Sequence, residues 1–377
     1  MKILVAIDSF KGSLSSLEAG LAVKDGLKGL CDVVVKPIAD GGEGSVEALA
    51  DALGATYIDA ITQDPLGVKI LARYALIKDL AILEMASASG LTLINEKQRN
   101  PLKTSTYGFG LLIKDAISKG ARKFIIGIGG SATNDAGTGM LSALGFEFYD
   151  ENGDLLAGIG ENLAKIFKIS TQNSLKELKQ CEFLIACDVD NPLFGKNGAA
   201  YVYAPQKGAD GRMVKELDDG LKSFANAVKA HFDTEHYKLK GAGAAGGLGF
   251  GFVSFLNAKL RPGIDIITDE IGLEDEIKKA DLVITGEGKM DFQSSMGKTP
   301  TGVAKLAKKH KKPVIALAGC VCEGAQECNK SGIDAFFCIL NEPISLEEAM
   351  RKDIAIKNLK MAANQAVRLF LINQSRS

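Results

Sequence analysis

Histidine is scarce in this chain: His231, His236 and His310 are the only three among 377 residues. All three stand in lysine-rich or polar helical surroundings, which argues against a histidine-based triad or zinc centre. Excess charge of either sign is missing too, with 45 Lys and Arg against 46 Asp and Glu. A surface without a basic field is not one that grips a nucleic acid backbone, so no polynucleotide partner is expected. The seven cysteines include no CxxC pair, and their odd number suits a reducing compartment. Cys320 and Cys322, following the apolar run 313–318, read as buried small hydrophobes rather than metal ligands. No uncharged apolar run reaches the roughly 18 residues of a membrane span. The apolar run before Asp8 is shorter than the roughly 7–15 residues of a signal core. A cytoplasmic protein with no membrane partner is the expectation.

What is present is a βα rhythm. The length exceeds one ordinary core of roughly 100–200 residues, so two domains are expected. Ile3 to Ile7 is a continuous apolar run, and Ser15 or Ser16 caps a helical pattern through Leu17, Leu21, Val23 and Leu27. Val33 to Ile38 predicts a second strand and Val46 to Leu53 a second helix. From Tyr57 the texture changes to strands without helices between them, Tyr57 to Ile61, Val68 to Ile77 and "AILEMA", which predicts a mixed sheet. Further strands are predicted at Phe124 to Ile128, Phe146 to Tyr149 and Phe183 to Ala186, with long helices near 106–119 and 213–232. After "RPGID" the rhythm returns with "DLVITG", "PVIALAG" and "AFFCIL", then a last amphipathic helix from Ile356 to Asn373. The fold class is therefore α/β with two α/β domains. Residues 1–62 plus 263–377 form an open, Rossmann-like parallel sheet from both chain ends, and 63–262 form an inserted mixed-sheet domain, with a cleft between them.

Six small-residue loops interrupt the pattern: "DSFKGS", "ADGGEG", "GIGGSATNDAG", "CDVDNPLFG", "GAGAAGGLG" and "TGEGKMDFQSSMGKT". In open parallel sheets such loops gather at the carboxyl ends of strands and form the ligand crevice. In "GIGGSATNDAG", Gly129, Gly130 and Ala132 permit close backbone approach to a phosphate. Ser131 and Thr133 add hydroxyls there, while Asn134 and Asp135 offer oxygens to a magnesium ion. A tight strand-to-helix turn with ordinary caps is the plainer reading of the same residues. Gly127, Gly129 and Ala132 also fit GxGxxA with Asp150 downstream, and Gly241, Gly243 and Gly246 fit GxGxxG; each is weak alone. "GKT" at 297–299 is no Walker A loop, because Phe292 stands where the first glycine belongs, although Lys298 remains a point charge for a phosphate or a solvated lysine. Asp188 and Asp190, Asp40 and Glu43, and Glu287 and Asp291 lie on three of the loops, suited to magnesium or to deprotonating a hydroxyl, or singly to N-capping.

Read in order, "DSFKGSLSSLEA", "PIADGGEGSVEAL", "GIGGSATNDAGTGMLSALG", "ACDVDNPLFGKNGAA", "GAGAAGGLG" and "DLVITGEGKMDFQSSMGKTPTGVA" closely resemble the glycerate kinase family in its class I form. The resemblance runs over nearly the whole chain. It implies phosphorylation of D-glycerate by ATP with Mg²⁺, mostly associated with 2-phosphoglycerate as product, with 3-phosphoglycerate left open. Ala136 stands where many relatives carry glycine, a departure that matters only if the backbone there needs a positive φ. Under this resemblance Lys11 serves the glycerate carboxylate, Ser9 and Ser13 its hydroxyls, and Gly12 a close backbone approach. Asp40, Gly41, Gly42 and Glu43 complete the substrate loop. Gly129 to Asn134 with Lys298 hold the ATP phosphates, and Asp135, Asp190 and Glu287 are candidate metal ligands. Asp188 is favoured as proton acceptor, with Asp8 and Asp291 as rivals. Chemistry is expected when the cleft closes and excludes water. Two other classes stay in view: an NAD-dependent oxidoreductase of a small hydroxy acid, and a two-lobed binding protein for small anions. A homodimer is left open.

Overall fold

The computed structural model describes residues 1–39, 45–296 and 298–374. The chain forms two compact units, Met1–Gly54 with Ile264–Ser377, and Ala55–Gly263. It begins in the first with β1 (Lys2–Ile7) and β2 (Asp32–Val35). In the second follow β3 (Thr56–Gln63), β4 (Lys69–Ile77), β5 (Leu80–Glu84), β6 (Lys123–Gly127), β7 (Glu147–Tyr149), β8 (Lys168–Ser170), β9 (Glu182–Ala186) and β10 (Lys259–Arg261). The return adds β11 (Leu282–Met290), β12 (Val314–Val321) and β13 (Ala335–Cys338).

The first unit carries a parallel sheet ordered β13-β12-β11-β1-β2. Strand order reverses between β1 and β11: the chain moves one way from β1 to β2 and the other way from β11 to β13. Residues 3–7 of β1 are all buried, as a strand covered on both faces requires. Ile3, Val5, Leu282, Ile284 and Leu317 pack with Val23 of helix Ser16–Gly26 and with Leu359 and Val367 of the final helix Lys352–Gln374. Ser15 caps the first helix through a capping box with Glu18. β2 stops short of Ile38 because the Ile38 N–H donates to Ser16 Oγ at 2.8 Å, and that hydroxyl donates to the Ile7 carbonyl at 2.6 Å. One side chain thus ties together the ends of two strands.

The second unit has a mixed sheet, β10-β9-β6-β5-β4-β3, parallel from β10 to β5 and antiparallel from β5 to β3. Its core is aromatic: Phe124 stacks on Phe183, and Phe148, Phe224 and Phe250 pack edge to face. Each buried phenyl contributes about 1.5–3 kcal/mol. The predicted strand at Phe146 to Tyr149 exists, but it pairs with β8 in a separate two-stranded sheet.

Two expectations need correction. "GAGAAGGLG" is a buried, kinked helix start rather than a polar loop, with positive φ at Ala245, Gly246 and Gly247 inside Ala244–Leu256. Cys320 is exposed, with its Sγ 3.6 Å from that of Cys322, because β12 continues past its buried residues to an open end. Among the described residues no helix is long and apolar enough to cross a membrane.

Candidate active site

In open α/β sheets, ligands sit outside the carboxyl ends of strands where strand order reverses. In the first unit that position lies beyond Ile7 and Gly286, which are register partners in β1 and β11. Asp8 follows Ile7 and Glu287 follows Gly286, so the sheet sets two carboxylates side by side at its switch point. Both are buried, each with about 8% of its surface exposed. Asp8 accepts from the Ser9 N–H at 2.6 Å and from the Thr299 hydroxyl at 2.6 Å. Glu287 keeps one oxygen, Oε1, without a partner. Burial pushes its carboxyl up to about 7, Asp8 and Asp291 push the same way, and Ser294 and Lys298 oppose. A small cavity of about 30 Å³ opens beside Asp8 and Ser9, lined also by Ser16, Ile38 and Asp51.

The loop after β1 turns tightly. Phe10 and Leu14 exchange backbone hydrogen bonds, and Gly12 adopts φ +77°, which a side chain would resist. Lys11 is exposed at its tip, while Ser13 Oγ is buried and unpartnered. Asp291 caps the turn that follows β11 by accepting from Gln293 N–H at 2.9 Å. Its ion pair with Lys289 at 3.2 Å holds its carboxyl below the usual range. Lys298 occupies the N-cap of helix Thr299–Lys309, near Glu287 and Asp291. The expected substrate residues Asp40, Gly41, Gly42 and Glu43, and Gly297 of "GKT", lie outside the described residues.

In the second unit, the loop after β6 begins with exposed Gly129 and Gly130 and then dives inward, Ser131 to Gly137 being buried. Asp135 Oδ2 accepts from Thr106 N at 2.8 Å, Thr106 Oγ1 at 2.7 Å and Gly139 N at 3.2 Å, and Oδ1 accepts from Gly137 N at 3.2 Å. Three of these four hydrogen bonds fall on Oδ2 and one on Oδ1. Asp135, expected as a metal ligand, is here a buried anchor of the loop. Burial raises its pKa against those four hydrogen bonds. Ala136 does sit at positive φ, +51°, so glycine at this position would relieve strain.

Two features escaped the sequence pattern. Lys207, 2% exposed, donates from Nζ to Ser131 Oγ and to the Thr133 carbonyl, both at 2.6 Å. The "GAGAAGG" segment buttresses the same loop: Ala136 N donates to the Gly246 carbonyl at 3.0 Å, and a Cβ at Gly246 would lie 2.1 Å from the Thr133 oxygen. That packing removes the GxGxxG reading, since Gly241 is packed against Cys187, Gly243 and Gly246 face protein backbone, and the three follow no strand. Asp150 is likewise engaged, accepting from Asn152 and Asp154 N–H in its own turn.

The chain matches the model of the glycerate kinase family over residues 3–371. The chain belongs to the glycerate kinase family. It is 44% identical over 355 residues to a glycerate kinase of Halalkalibacterium halodurans, and 44% over 356 residues to glycerate 2-kinase of Escherichia coli. Each alignment covers 93% of this chain and 93% of the relative. A crystal structure of a putative glycerate kinase 2 from Salmonella typhimurium LT2 superposes with a TM-score of 0.92 at 41% identity, covering 100% of this chain and 99% of that one. Within this family member, Asp8, Glu287, Asp291 and Lys298 gather at the first unit's switch point. Asp188 and Asp190 belong to the second unit at the end of β9, both exposed. Asp188 accepts from Gly263 N–H at 3.0 Å, and Asp190 pairs with Lys240 at 2.8 Å, three-quarters exposed.

Proposed function

We propose that the protein transfers the γ-phosphoryl group of MgATP to the 2-hydroxyl of D-glycerate, giving 2-phosphoglycerate. The observation that carries this is near-full-length similarity to glycerate kinases, one of them named a glycerate 2-kinase. The proton acceptor is assigned to Glu287 rather than to Asp188. A buried carboxylate with a free oxygen and a pKa of about 7 accepts a hydroxyl proton near neutral pH, whereas Asp188 is an exposed carboxylate spent in part on Gly263. Ser9, Lys11 and Ser13 offer the hydroxyls and charge that a small hydroxy acid needs. Ser131, Thr133 and Asn134 in the second unit are assigned to the nucleotide phosphates, supported by the unpartnered, buried Thr133 Oγ1 and Asn134 amide.

Magnesium is bound through one or two carboxylates together with substrate phosphates and water. Among the described residues no cluster of three or more ligating side chains exists. Asp8, a buried carboxylate beside Glu287 at the switch point, is the residue that would hold the ion. When bound, magnesium neutralises phosphate charge. Turnover of D-glycerate with MgATP, followed by NMR assignment of the phosphorus-coupled carbon, tests the whole reading: coupling to C3 would replace the 2-hydroxyl, and absence of turnover would refute the kinase.

A further inference from the structure

Lys207 is a buried cation with no carboxylate in direct contact with its ammonium. Its Nζ has two neutral oxygen partners, from Ser131 and Thr133, and among the described residues no carboxylate is ion-paired with it. The nearest charge that acts on it is Asp135, whose oxygens are already committed to Thr106, Gly137 and Gly139. Arg99, from the segment packed against Gly208, adds a second cation with a buried, unpartnered Nε. Around the loop, Ser89 Oγ, Thr133 Oγ1 and both polar atoms of the Asn134 amide are buried and unpartnered. Burying a charge without its counter-ion is costly, and a protein retains such a charge where a ligand supplies the opposite sign.

We propose that Lys207 is the positioning residue of the 131–134 loop, lending its charge through Ser131 and Thr133 to a nucleotide phosphate that serves as its counter-ion. This rests on the assignment of that loop to the phosphates. In the free protein, desolvation lowers the Lys207 pKa to about 7, with Asp135 opposing. An arriving phosphate favours the ammonium, so binding above neutral pH takes up a proton.

The test is calorimetric titration of ATP into the full-length protein at pH 8, without magnesium or glycerate, in two buffers of different ionisation enthalpy. A Glu287→Gln background removes the other group that titrates near pH 7. Uptake of nearly one proton per ATP is expected, and ATP affinity should fall as pH rises above 7. Lys207→Met should abolish the uptake, weaken ATP by about 10- to 100-fold, and raise the KM for ATP while leaving that for glycerate. A lower melting temperature with unchanged ATP affinity overturns the proposal, making Lys207 a staple. ATP binding with no proton uptake overturns it too, even if the methionine variant fails to fold. No ATP binding at all would refute the loop assignment itself.

Discussion

Glu287→Gln separates the electrostatics of the switch point from its packing. The carboxyl is raised from an ordinary 4.5 to about 7, chiefly by burial. Below about pH 4.5 both folded and unfolded chains hold the proton, and the group has no effect on stability. As pH rises toward 7 the unfolded chain ionises first, so the wild type loses stability through that window, and the loss levels off above it. At 1.36 kcal/mol per unit the full displacement is worth about 3 kcal/mol. Glutamine has nearly the same shape and never ionises. The stability difference in favour of the variant should therefore grow from under about 1 kcal/mol at pH 5 to about 3 kcal/mol at pH 8. Urea denaturation followed by circular dichroism at the two pH values measures it, the chain having no tryptophan. Turnover should fall by about 10²–10⁴ in the same variant. A difference that does not change with pH would refute the raised pKa, and wild-type turnover would remove Glu287 as proton acceptor.

The remaining expectations concern the second unit. Asp188→Asn, which keeps an oxygen for the Gly263 N–H, should leave turnover within about tenfold; a loss of 10²–10⁴ would return the proton acceptor to Asp188. Asp135→Asn places an amide N–H against backbone donors in a fully buried site and should cost about 3 kcal/mol, read by denaturation, with unchanged stability counting against its anchoring role. Gly246→Ala sets a Cβ at 2.1 Å from the Thr133 oxygen on a φ of +70°. It should cost about 3 kcal/mol or more and weaken ATP binding with it; an alanine variant as stable as the wild type would show that the buttress yields.

Strand and helix positions were legible because local pattern determines them. The continuous apolar run at Ile3 to Ile7 needs burial on both faces, and Ser15 followed by Glu18 caps a helix wherever the helix lies. The six motifs were enough to carry the family resemblance, since they are local strings. The duties of single acids were not legible. Asp135 and Glu287 look alike in sequence, each an acid in a glycine-rich stretch, yet one accepts four hydrogen bonds and the other keeps an oxygen without a partner. Lys207 gave no signal at all, because its partners lie 76 and 74 residues away. What a buried charge does depends on the atoms that replace its water, and those atoms are brought to it only by the tertiary fold.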